Sequence, residues 1–300
     1  MKWVGGKRQL LPVLRRYYPP APGAYFEPFV GSGAVFFDLL AQRRLDGRPS
    51  TISDDNADLI GYYARVADAL PGVIAALEHL AEAHARDGRA HYLHVRDTLF
   101  NPQRAAWRAA GGHLAGYGAH LAAMLIYLNR TGYNGLFRVH SSGEYNVPPG
   151  RYERPRIVDR PLLEDVSTVL TRPNVRVPRA PFDSVLNDAR AGDFAYFDPP
   201  YAPLSKTANF RGYTGRQFGD DEQQRLQGVL VPLAERGVQV LLSNSTAPAI
   251  TQLYENNARV RAAGLWTLRV AARRAVNSKG SGRGSIEELL VTNVAPRPDA

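Results

Sequence analysis

Two stretches in which strand-like runs alternate with helical periods are separated by a long middle segment that shows helical periods and little else. The strand-like runs fall at residues 24–29 and 50–53, then at 174–177, 195–197 and 238–243. A closing pair at 266–271 and 288–293 surrounds a loop of Gly, Ser, Lys and Arg. Helical periods lie between them, at 34–42 and 221–236 for example. Such alternation predicts an α/β sheet, and the closing hairpin adds an antiparallel strand to it. Residues 59–69, 72–85 and 115–128 repeat apolar side chains at helical spacing and break the βα pattern. The expected organisation is a mostly helical domain inserted into an α/β chain. The insertion carries a polar and aromatic loop at 129–152.

Composition narrows the chemistry. At 300 residues and 44% hydrophobic, the chain can build a full core. It has no cysteine, which excludes disulfides, thiolate zinc sites and a cysteine nucleophile. The longest apolar run, 121–128, is too short to span a bilayer, and the first residues carry no apolar segment of a signal peptide. A net charge of +9 suits nucleic acid or an anionic surface, and its arginine excess suits phosphate and guanine. His91 and His94 have helical spacing but no carboxylate set beside them, so no metal site is expected.

Asp198-Pro199-Pro200-Tyr201 follows the apolar run 194–197. Two prolines end the strand, fix two φ angles and remove two backbone donors. The turn thereby presents a carboxylate, a carbonyl and an aromatic ring that fit an amino-purine. Asp198 can accept one amine proton, the Pro199 carbonyl can accept the other, and the exposed Tyr201 ring can stack on the base. A plain proline turn after a strand is the alternative. Upstream, residues 25–36 read as strand, glycine turn and helix start, with Gly31 and Gly33 allowing close backbone approach. Phe36 stands where a dinucleotide fingerprint has its third glycine, which favours a nucleoside cofactor without phosphate. Asp54 ends the next strand, where an acidic residue typically bonds ribose hydroxyls. S-adenosyl-L-methionine has a ribose and an adenine and no phosphate.

Several blocks in this order resemble the Dam family of adenine-N6 DNA methyltransferases. Lys2-Trp3-Val4-Gly5-Gly6-Lys7 looks like its N-terminal cofactor motif, and Glu27-Pro28-Phe29-Val30-Gly31-Ser32-Gly33 like its glycine motif. Asp54-Asp55-Asn56 is similar to its ribose motif, and Asp198-Pro199-Pro200-Tyr201 to its catalytic one. Asn129-Arg130-Thr131-Gly132-Tyr133-Asn134-Gly135-Leu136-Phe137-Arg138 and Gly143-Glu144-Tyr145-Asn146-Val147-Pro148 look like its DNA-recognition hairpin. The resemblance implies a seven-stranded Rossmann-like methyltransferase sheet with an inserted helical DNA-recognition domain. The expected bounds are 1–58 and 177–300 for the catalytic domain and 59–176 for the insertion. It also implies S-adenosyl-L-methionine contacts from Trp3, Lys7, Glu27, Phe29, Gly31, Gly33, Asp54 and Phe182, with Asp198 at the junction of cofactor and substrate. Pro181 departs from the family's acidic residue before Phe182.

The reaction so implied is methyl transfer to the N6 amine of a flipped adenine in double-stranded DNA, without metal or membrane. Arg130, Tyr133, Asn134, Leu136, Arg138, His140 and Pro148 are the expected DNA contacts in the hairpin, with GATC the leading target. His140 departs from the asparagine common in the family. Arg273, Lys279 and Arg283 of the closing loop are assigned to phosphates, a solvated basic turn being the alternative. Residues 202–217 read either as a lid or as an ordinary surface loop. Ser243-Asn244-Ser245 reads either as a substrate contact or as an N-cap. The cytoplasm, at the nucleoid, is the expected location, and a cognate restriction endonuclease is compatible with this chemistry. The rival readings are methyl transfer to RNA adenine or to protein glutamine, and a catalytically silent DNA-binding relative.

Overall fold

The computed structural model describes residues 1–3, 6–202, 218–273 and 285–298. Its sheet has seven strands: β1 (Tyr25–Glu27), β2 (Ser50–Ile52), β3 (Val175–Arg176), β4 (Phe194–Phe197), β5 (Gln239–Ser245), β6 (Trp266–Arg273) and β7 (Ser285–Thr292). Their order is β3-β2-β1-β4-β5-β7-β6. β1 pairs in parallel with β2 and β4, and β4 with β5. β7 runs antiparallel between β5 and β6. All seven expected strands are present. β5 continues through Ser243, Asn244 and Ser245, which pair with Leu290, Leu289 and Glu288.

The strand order reverses between β1 and β4, because the chain leaves β1 toward β2 and later leaves β4 toward β5. In open α/β sheets, ligands bind beyond the carboxyl ends of strands at such a switch point. Here β1 ends at Glu27, ahead of the glycine turn, and β4 ends at Phe197, ahead of Asp198.

The chain divides into two compact units. Among the described residues, one comprises 6–53, 180–202, 218–273 and 285–298. Its core joins Ala195 and Phe197 of β4, Val240 and Leu242 of β5, and Leu289 and Val291 of β7 to Leu226, Leu230 and Leu233 of the helix Asp220–Glu235. The strand period of two turns Tyr196 and Ser243 to the opposite face, where their hydroxyls meet at 2.9 Å.

The other unit comprises 1–3 and Asp54–Arg179. Its helices are Ala57–Asp68, Leu70–Arg86, Gly88–His94, Asn101–Ala109, Ala119–Thr131 and Arg160–Leu170. A π-helical segment, Val95–Phe100, joins the third to the fourth. The helix Ala119–Thr131 is buried from Leu121 to Asn129, which fits its long apolar run. Asn56 caps Ala57–Asp68, its side chain accepting from the Asp58 and Leu59 amides. Gly61 sits against Tyr117, where a Cβ would come within 2.4 Å of the ring. Buried Asp58 and Arg104 form a two-pronged ion pair at 2.7–2.9 Å.

Candidate active site

Asp198 leaves β4 beside a buried cation. Lys7 Nζ lies 2.7 Å from Asp198 Oδ1, with the lysine 5% and the aspartate 19% exposed. The same ammonium stands 4.5 Å from the centroid of the Tyr201 ring. The Pro-Pro turn thus brings the carboxylate and the ring to one lysine. Tyr201 is half-buried instead of exposed, and its hydroxyl donates to Glu288 of β7 at 2.5 Å. Burial pushes the Asp198 carboxyl up to about 6; Lys7 opposes this, and the Glu288 charge adds to it. Burial also pushes the Tyr201 phenol well up, helped by the negative charges of Asp198 and Glu288.

A buried polar layer holds this turn from beneath. Ser243 Oγ reaches Asp198 Oδ1 at 3.4 Å. Gln223 donates to the Pro200 carbonyl at 3.1 Å and accepts from Asn244 at 3.0 Å. Ser245 Oγ donates to the Ala202 carbonyl at 3.0 Å. Ser243-Asn244-Ser245 is therefore not an N-cap but a buried stretch of β5. The next helix, Pro248–Tyr254, has Ala247 as its cap residue. No local sequence signal marks Gln223 or Glu288, which reach the turn from distant elements.

After β1, Gly31 and Gly33 take left-handed φ angles of 48° and 68°. A side chain would be strained at both; Gly31 is half-buried and Gly33 buried. Glu27 is buried, accepting from the Tyr25 hydroxyl at 2.7 Å and the Phe36 amide at 3.0 Å. Burial pushes its carboxyl up to about 8. Phe29 stacks on Phe182 with centroids 5.4 Å apart, and Arg225 stands 5.2 Å from the Phe182 ring.

The remaining sequence-assigned residues with described positions, Arg273 excepted, fall in the helical unit. Trp3 stacks on Phe137 at 5.6 Å. Asn129 accepts from the Lys2 amide at 2.9 Å and donates to the Lys2 and Gly135 carbonyls at 2.8 Å. Asp54 accepts from the Asn56 amide at 2.9 Å and forms a backbone bridge with Arg179. Residues 132–149 form an irregular hairpin through the bridges Gly132–Pro149 and Val139–Tyr145. Tyr133, Asn134, Arg138, His140 and Pro148 are exposed on it, and Leu136 is half-buried. Arg138 Nε donates to Asn146 Oδ1 at 2.7 Å. Arg130 turns to Asp159 at 3.7 Å. Arg273 ends β6, whereas Lys279, Arg283 and loop residues 203–217 lie outside the described residues.

Among the described residues, no group of His, Asp or Glu could hold a metal ion. No described helix is long and apolar enough to cross a membrane. The family model for the D12 class N6 adenine-specific DNA methyltransferases matches residues 3–268. The chain is 36% identical to the type II methyltransferase M1.LlaDCHI of Lactococcus lactis subsp. cremoris, over 97% of this chain and 94% of that one. It is 36% identical to the type II methyltransferase M.MjaIII of Methanocaldococcus jannaschii, over 98% of each. It is 31% identical to the DNA adenine methylase of Escherichia coli K12, over 97% of this chain and 93% of that one. A match spanning the sheet motifs and the hairpin alike means that the chain belongs to the D12 class of N6 adenine-specific DNA methyltransferases.

Proposed function

We propose that this chain transfers a methyl group from S-adenosyl-L-methionine to the N6 amine of an adenine flipped out of a short duplex sequence, with GATC the leading target. The observation that carries the reading is the cluster of Lys7, Asp198 and Tyr201 at the end of β4. The cofactor is assigned to the left-handed glycine turn at Gly31 and Gly33 and to the aromatic pair Phe29–Phe182. Trp3, Lys7, Glu27 and Asp54 complete the assigned set, Asp54 on the ribose hydroxyls. When bound, S-adenosyl-L-methionine supplies an electrophilic methyl group on a sulfonium.

The chain's own part is to make the adenine amine nucleophilic. Its lone pair is delocalised into the ring. Asp198 accepts one amine proton and the Pro199 carbonyl accepts the other, which favours a localised lone pair. Asp198 also balances the positive charge that develops on nitrogen, an electrostatic contribution of the kind that dominates many enzymes. Lys7 keeps the carboxylate ionised and holds Oδ1, so the second oxygen is assigned to the amine. Tyr201 holds the base by stacking.

The helical unit is proposed as the target-recognition domain. The exposed hairpin side chains Tyr133, Asn134, Arg138, His140 and Pro148 support this reading. Arg138 is assigned to a guanine, through O6 and N7.

The test is base-resolution mapping of methylated adenines in duplex DNA exposed to the protein, with Asp198→Ala beside it. Methyl-adenine confined to one short palindrome and abolished in the variant is expected. Methyl-adenine without sequence preference, or near-normal turnover by Asp198→Ala, rejects the reading.

A further inference from the structure

We infer that Asn101 is a positioning residue for target selection: with Tyr92 and Arg96 it holds the recognition hairpin in the register from which its exposed side chains meet base edges. The inference rests on the hairpin reading proposed above. The Asn101 amide forms two hydrogen bonds with one hairpin residue. Its nitrogen donates to the Tyr145 carbonyl at 3.0 Å, and its oxygen accepts from the Tyr145 amide at 2.9 Å. A side chain thus takes the place of a neighbouring strand.

The hairpin geometry explains why Tyr145 needs such a partner. Val139 and Tyr145 face each other, and the hairpin's own bonds flank them: His140 donates to the Glu144 carbonyl at 2.8 Å and Asn146 to the Arg138 carbonyl at 3.1 Å. Val139 and Tyr145 are therefore a pair that exchanges no backbone bonds. The amide and carbonyl of Tyr145 point to the outer edge, where Asn101 meets them. Two residues along, the Val147 carbonyl accepts from the Tyr92 hydroxyl at 2.9 Å and from Arg96 Nη1 at 3.0 Å. Two residues back, the Gly143 carbonyl accepts from Arg104, itself locked to buried Asp58. Residues 143, 145 and 147 are held in turn, which is the period of a strand.

The helical side of this clasp has an unusual spacing. Tyr92 and Arg96 are four residues apart and share a face of an α-helix. Asn101 follows Arg96 by five residues, a step that in a regular α-helix turns the side chain roughly 140° away. The π-helical segment Val95–Phe100 lies across this step, and its wider turn restores the common face. Short π segments are rare and occur often at functional sites. A slip of one residue in a strand exchanges its two faces. With so few backbone bonds of its own, the hairpin depends on the clasp to keep Arg138 and His140 on the reading side.

The experiment compares kcat/KM on a duplex carrying the mapped target with kcat/KM on duplexes carrying each single base-pair substitution. Asn101→Leu removes both bonds, Asn101→Asp keeps the acceptor for the Tyr145 amide, and Arg138→Ala removes the proposed reader. Asn101→Leu is expected to lower the ratio of target to near-target rates about tenfold, within the range lost with a base contact. Asn101→Asp is expected to fall between it and the unaltered protein. A purely structural role lowers all rates together with the folded fraction and leaves the ratio unmoved. If Asn101→Leu does not fold, the Asn101→Asp ratio decides by the same criterion. An unmoved ratio in the Asn101 variants while Arg138→Ala relaxes selection overturns this inference alone. An unmoved ratio in all three overturns the hairpin reading and this inference with it.

Discussion

Replacing Lys7 by Met should move the acid limb of the pH–rate profile to higher pH. Asp198 must be ionised to accept an amine proton, so activity falls as pH drops through its pKa, at about 6. Lys7 stands 2.7 Å from Oδ1 and is nearly buried, so the pair is poorly screened. An opposite charge at this range holds a carboxyl down by about one to three pH units. That corresponds to roughly 1.4–4 kcal/mol in favour of the ionised form. Without the lysine, the limb should therefore appear between about pH 7 and pH 9. Stability carries the matching sign. The folded pKa of Asp198 lies above its ordinary value of 3.8, so ionising it costs stability as pH rises from there to about 6. In Lys7→Met that loss should extend to higher pH. The assay is kcat against pH with both substrates saturating, for the unaltered protein, Lys7→Met and Lys7→Arg. Arginine keeps the charge and should hold the limb near its original position. An acid limb in Lys7→Met that stays near pH 6, or moves lower, refutes the assignment of Asp198 as the group kept ionised by Lys7.

Tyr201→Phe removes the donor to Glu288 and should slow methyl transfer, with a loss of about 1–3 kcal/mol for a bond to a charged group. Tyr201→Ala loses the ring as well and should be slower still; equal rates for the two variants would remove stacking from the account. Arg104→Met leaves buried Asp58 without its cation and should destabilise the protein by about 3–5 kcal/mol in denaturant unfolding. A loss below about 1 kcal/mol would show that Asp58 finds another partner. Asp54→Ala should weaken S-adenosyl-L-methionine binding more than DNA binding, and unchanged cofactor affinity by calorimetry would refute its ribose role.

The sheet was legible because its strands are short apolar runs bounded by turn residues, and runs such as 194–197 announce themselves locally. The turn at Asp198 was legible for the same reason: consecutive prolines fix their own geometry. What supports that turn was not. Gln223 and Glu288 reach it from 23 and 87 residues away along the chain, and no periodicity marks such a bond. Ser243, Asn244 and Ser245 look like turn residues in isolation. They sit in a central strand because tertiary partners satisfy their polar groups. Tyr201 read as exposed because its cover, Lys7 and Glu288, comes from other elements. The π segment left no trace in composition, since its residues suit a regular helix equally well.

The clasp on the hairpin grips main-chain atoms: the Gly143, Tyr145 and Val147 carbonyls and the Tyr145 amide. It is indifferent to which side chains the hairpin displays outward. Exposed positions 133, 134, 138, 140 and 148 can therefore drift, or be randomised in a selection library, while the frame that presents them is inherited unchanged. If the hairpin reads the target as proposed, a scaffold of this kind separates the vocabulary of target sites from the catalytic grammar, and exchanging a handful of codons in one loop should yield new specificities.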